Sequence, residues 1–211
     1  MFENTENVVK LLARIVKTAE VLRRLGITET ELDHLHRSGT QFGIMSAFMD
    51  EYSRNENKQR HTELLQYLNS RGYTWDGVKG SWPSDKKPTG YALESSVIIH
   101  NIAYDELITL GDYYNQESVI FKETNELLGM YNLWNNYVIV WFPEKTKWDM
   151  EAPRPKKREE LGLEHQYSTR WRDVELLYGF DEGIKIPLDR SKPVSTEEYF
   201  SYKDQENGND I

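Results

Sequence analysis

Between Gln41 and Lys122 the chain alternates strand-like and helix-like segments in the order strand, helix, strand, strand, helix, strand. Few folds accept that order. It predicts an α+β domain built on a ferredoxin-like β-α-β-β-α-β module, a four-stranded sheet with both helices on one face. The first strand is Phe42 to Ala47. Ser53 and Glu56 form a capping box that opens a helix carrying Leu64, Leu65 and Leu68 on one side, and Gly72 closes it. Tyr73 to Trp82 alternates aromatic or apolar with polar residues, as a half-buried strand does. Pro83, Ser84, Asp85, Pro88 and Gly90 mark a hairpin loop, and Leu93 to His100 is the returning strand. Leu107, Leu110 and Tyr114 share a helical face. Val119, Ile120 and Phe121 form the fourth strand.

Around this module (residues 40–124) the sequence predicts three further regions. Residues 1–39 read as a helical hairpin, with Val8, Leu11, Leu12, Ile15, Ala19 and Leu22 at three- and four-residue spacing and Gly26 between the two helices. Residues 125–190 read as an extension packed on the module. It contains a strand at Tyr137 to Phe142, an exposed proline-bearing loop from Lys145 to Arg158 and a strand at Asp173 to Tyr178. Residues 191–211 read as a flexible acidic tail.

Composition narrows the function classes. There is no cysteine among the 211 residues, which excludes disulfides and thiolate metal sites and fits a reducing cytoplasm. The net charge of −9 disfavours non-specific binding to nucleic acid. No apolar run is long enough to span a bilayer, and the acidic start at Met1 to Glu6 does not read as a secretory signal.

No nucleophile elbow, phosphate loop or dinucleotide fingerprint occurs. The catalytic candidates are Glu94 and Glu117, each next to a serine at a strand entrance, and His100 at a strand end. Two carboxylates and a histidine in one cleft would serve acid–base chemistry. Equally, such groups cap turns and satisfy loops. The binding candidates are Arg54, Asn57 and Arg60 at the start of the first helix, where backbone N–H groups favour an anion. Lys156, Lys157 and Arg158 in the basic loop are candidates for nucleic-acid contact, set against the plainer reading of a solvated charge run. The histidines lack metal-ligand spacing, so neither a metal nor a cofactor is expected.

Several short motifs resemble a small uncharacterised domain of bacterial and tailed-phage early proteins. They are Ile44-Met45-Ser46-Ala47, Ser53 to Arg60 with Asn57, Gly72-Tyr73, Gly80, Glu94-Ser95 and Gln116-Glu117-Ser118-Val119-Ile120. Phe48 and Met49 stand where relatives often carry an arginine. The whole chain is similar to accessory proteins of T-even-like phages, including the anti-DarT factors that counteract a toxin which ADP-ribosylates phage DNA. That resemblance implies an anti-defence protein in the host cytoplasm, whose partner is a host defence protein or another phage protein. A non-enzymatic binder is the first expectation from it. An enzyme acting on a nucleotide or modified nucleic acid through Glu94, Glu117 and His100 is the alternative.

Overall fold

The computed structural model describes residues 39–83, 91–124, 127–141, 147–149, 168–171, 174–177 and 183–208. Residues 1–38 of the expected N-terminal hairpin, residues 84–90 of the expected hairpin loop and the basic residues Lys156, Lys157 and Arg158 lie outside these residues.

The β-α-β-β-α-β module is present. Its elements are β1 (Phe42–Ser46), α1 (Arg54–Ser70), β2 (Trp75–Pro83), β3 (Tyr91–His100), α2 (Tyr104–Tyr113) and β4 (Ser118–Lys122). The strands lie in the order β4-β1-β3-β2, with β1 antiparallel to both of its neighbours. That is the ferredoxin-like arrangement. Ser53 caps α1 as its sequence implies: its hydroxyl accepts from the Glu56 N–H, and the Glu56 carboxylate accepts from the Ser53 N–H. Gly72, at φ 77°, takes the left-handed conformation that ends the helix.

Among the described residues the sheet extends at both edges to ten strands. On the β4 side come β5 (Leu128–Asn132), β6 (Tyr137–Trp141) and β10 (Ile184–Pro187). On the β2 side come β8 (Ser168–Trp171), β9 (Val174–Leu177) and β7 (Lys147–Asp149). The segment read as an exposed loop from Lys145 to Arg158 therefore contains a short strand paired with β9. Its charges hid a three-residue pairing segment.

The tail expected to be flexible is a correction. Thr196–Gly208 forms a helix, α3. Ser195 and Glu198 make a second capping box: the Ser195 hydroxyl accepts from the Glu198 N–H at 3.2 Å, and Glu198 Oε2 accepts from the Ser195 N–H at 3.0 Å. Tyr199 is buried in the main core, which docks the helix despite its acidic composition.

Strand alternation sorts the side chains. Met45, Val97, Ile99, Val119 and Phe121 face the helices and form one cluster with Leu64 and Leu68 of α1 and Leu107 and Leu110 of α2. Val138, Val140, Ile184 and Ile186 continue this core under the added strands. Phe42, Ile44 and Ile98 point to the other face and are buried too. Gly43 sits where α2 approaches the sheet. A Cβ there would stand 2.7 Å from Leu107 Cδ2 and 2.9 Å from Ile102 Cγ2. Gly43→Ala should lower stability by about 1–3 kcal/mol through overpacking, read as a lower urea midpoint at unchanged slope.

Candidate functional site

β3 is longer than its neighbour β1. β1 stops at Ser46, opposite Ser96, while β3 begins at Tyr91 and stays paired with β2 throughout. Past Ser46 the edge of β3 has no β1 partner, and side chains from both of its faces become accessible there. The chain leaving β1 turns away toward α1. The space between is a cleft of about 630 Å³. Phe48, Met49, Asp50 and Tyr52 line it from the β1–α1 connection, Arg54, Asn57 and Lys58 from α1, Lys79 and Trp82 from β2, and Leu93, Glu94 and Ser95 from β3.

Glu94 is the most perturbed acid in the cleft. Burial pushes its carboxyl up to about 7, and the nearby Asp50 charge adds to the rise. Hydrogen bonds from the side chains of Ser46, Ser96 and Trp82 oppose it without cancelling it. The residue as a whole keeps part of its surface open, whereas its carboxyl is densely surrounded. Desolvation disfavours the charged form, so Glu94 sits close to half-ionised near neutral pH. Gly80, directly across on β2, makes room for it: a Cβ there would lie 3.0 Å from Glu94 Oε1 and 2.7 Å from Ser96 Oγ.

The cleft wall is strapped in place. Asn57 is 7 % exposed, and its side chain accepts from the Met49 N–H at 2.8 Å and donates to the carbonyls of Met49 and Tyr52. Arg60 donates through Nε to the Ala47 carbonyl at 2.8 Å and through Nη2 to the Tyr114 carbonyl at 2.6 Å. Its guanidinium also lies over the rings of Tyr52 and Tyr114. Gln116 donates to the Phe48 carbonyl at 3.0 Å. Each is a side chain that anchors loop main chain by hydrogen bonds. Asn57→Ala should cost about 1–3 kcal/mol and loosen Met49 and Tyr52. The expected result is a lower melting temperature together with weaker ligand binding in the cleft.

The sequence-predicted residues divide accordingly. Arg54, Asn57 and Glu94 line the cleft. Arg60 does not; it serves the backbone of the wall. Glu117 lies at the same rim, but β1 separates it from Glu94, so two strand spacings, about 10 Å, lie between them. Its carboxylate accepts from Asn132 Nδ2 at 3.2 Å. The expected carboxylate pair is not formed. His100 is further off. It pairs with Phe42 at the other end of β1, roughly 20 Å along the strand from Glu94, and contacts Asp76 at 2.7 Å. The acid–base trio therefore reduces to Glu94. Sequence reasoning missed Lys79 and Trp82, which the β2–β3 register sets opposite Ser95 and Ala92, to either side of Glu94 along the strand.

What the cleft can hold follows from its lining. Two carboxylates, three cationic side chains and the rings of Phe48, Tyr52 and Trp82 surround it. Mixed charge beside aromatic faces suits a ligand that carries both signs and a flat ring. A search of curated proteins finds no match for the chain. A family model, the S-Adenosylmethionine lyase family, matches residues 43–171. The matched region starts in β1, contains β2, β3 and β4 with the whole cleft lining, and ends in β8. It covers well over half of the chain, and on that extent the protein belongs to the S-adenosylmethionine lyase family.

Proposed function

We propose that this protein cleaves S-adenosylmethionine at a carbon–sulfur bond without water or a methyl acceptor. The observation that carries the reading is a cleft lined by Glu94 together with the rings of Phe48, Tyr52 and Trp82, in a chain with this family membership. The substrate is a sulfonium cation bearing an adenine ring and a zwitterionic amino-acid arm. Its sulfur is already an activated leaving group. The carboxylate of the arm can displace it: the oxygen–Cγ bond forms, the Cγ–sulfur bond breaks and the electron pair goes to sulfur. The products are methylthioadenosine and a lactone, and no proton need move.

Such a reaction asks the protein for orientation and electrostatics in place of a protein nucleophile. Ionised Glu94 supplies a negative charge for the sulfonium and ammonium groups. Phe48, Tyr52 and Trp82 supply faces for the adenine and for the cation. Substrate binding favours the ionised carboxylate, so kcat/KM should rise with pH through about 7, the value of Glu94 in the free protein. The test is to incubate the purified chain with S-adenosylmethionine and separate the products. Methylthioadenosine should accumulate. Intact substrate, or S-adenosylhomocysteine as the product, would overturn the reading.

A second reading has its own observation. Glu197, Phe200 and Asp204 are exposed on α3 at spacings that share one helical face. An acidic face with an exposed aromatic suits docking on a basic protein, here a host defence toxin met in the host cytoplasm, as the phage resemblance implies. Co-purification of the toxin with wild type, and its loss on reversing Glu197 and Asp204 to lysine, would support a non-enzymatic anti-defence role. Absence of any complex would end it.

A further inference from the structure

Lys79 and Ser95 are direct partners across the β2–β3 ladder, and Lys79 Nζ donates to Ser95 Oγ at 2.7 Å. The next pair along is Gly80 and Glu94. Side chains alternate between faces along a strand, so Lys79 with Ser95 and Glu94 with its hydroxyl partners leave the ladder on opposite sides. Both still line the one cleft, because it lies along the edge of β3 that β1 leaves open. The cleft therefore has a cationic side and an anionic side.

His61 stands beside the cationic side. Its ring meets Phe48 edge-on at 5.8 Å, and its Nδ1 is buried without a hydrogen-bond partner among the described residues. Burial, with the Lys79 charge adding to it, depresses the imidazole from its usual value. A neutral His61 adds no charge there, so the positive charge on this side comes from Lys79 together with Arg54 and Lys58 of α1.

We propose that the Lys79–Ser95 pair is the subsite for the α-carboxylate of the substrate's amino-acid arm, and that it fixes which way round S-adenosylmethionine enters the cleft. This rests on the reading of the cleft given above. A lysine is a compact donor that can bind one carboxylate oxygen and leave the other free. Ser95 holds the ammonium in place before the ligand arrives, which lowers the cost of ordering a long side chain. A ligand seated this way has its anion at Lys79 and its sulfonium and ammonium toward Glu94. The reversed pose would set carboxylate against carboxylate.

The experiment measures binding of S-adenosylmethionine and of its decarboxylated analogue to wild type, Lys79→Met, Lys79→Arg and Ser95→Ala. Lys79 is exposed, so its replacement should leave the fold intact. Wild type should prefer the intact ligand. Lys79→Met should lose about tenfold in affinity for S-adenosylmethionine and almost nothing for the analogue. Lys79→Arg should recover most of the loss, and Ser95→Ala should show a smaller loss with the same selectivity. Equal losses for both ligands, or none for either, would overturn the subsite while leaving the cleft reading standing. Failure of S-adenosylmethionine to bind wild type would overturn both.

Discussion

Glu94→Gln should abolish most of the activity while making the protein more stable at alkaline pH. The two effects share a cause. In the folded protein the Glu94 carboxyl titrates at about 7, against 4.5 for an ordinary glutamate. Below about pH 4.5 both the folded and the unfolded forms carry the proton, and burial of Glu94 costs nothing through ionisation. Between about 4.5 and 7 the unfolded form gives up its proton while the folded form keeps it, so stability falls as pH rises. Above 7 the full cost, up to about 3 kcal/mol, is present. Glutamine keeps the shape and an acceptor for the Ser96 hydroxyl and the Trp82 indole, but it cannot ionise. The variant should therefore match wild type in denaturant stability at pH 4.5 and exceed it at pH 8. Over the same range kcat/KM should fall about 100-fold or more, with loss of the pH-dependent limb. A variant that loses activity and stability together at pH 8 would show Glu94 to be a structural residue.

Phe121→Ala should produce the largest loss of stability. The ring is 2 % exposed, at the meeting of β4, α2 and β5. Tyr104 meets it edge-on at 5.3 Å and Tyr131 at 6.4 Å. Truncation leaves a cavity that two anchored tyrosines cannot fill, because Tyr104 is held through its hydroxyl to the Asp189 carbonyl at 2.8 Å. The cost should be about 3–5 kcal/mol, a large share of the roughly 5–15 kcal/mol that holds a domain folded. Chemical denaturation should show a midpoint lowered accordingly. A shift under about 1 kcal/mol would mean that the neighbours collapse into the space.

The module was legible because its signals are local and mutually consistent. The Ser53–Glu56 box, the leucines of α1, the alternation before Trp82 and the apolar run at Val97 to Ile99 each point to one element. The strands outside it were harder. Leu128–Asn132 and Ile184–Pro187 are short, and their worth lies in pairing with distant segments, which no local window reveals. The tail was misread because the acidic residues of α3 outweighed the Ser195–Glu198 box and the buried Tyr199. At the site, Glu94 and Asn57 stood out from the sequence. Which other residues join them depends on where β1 stops. Strand polarity sends His100 to the far rim, and the position of β1 between β3 and β4 keeps Glu117 apart from Glu94.

The last strand and helix in chain order also complete the core. Ile184 and Ile186 of β10 lie against Val138 and Val140 on β6, Arg190 pairs with Asp112 of α2, and Tyr199 enters from α3. During synthesis the module and the cleft can assemble while the β6 edge still waits for its neighbour. A nascent or prematurely terminated chain would present that valine-rich edge to other chains, so truncation near Gly183 should give insoluble aggregates and leave little protein in the supernatant.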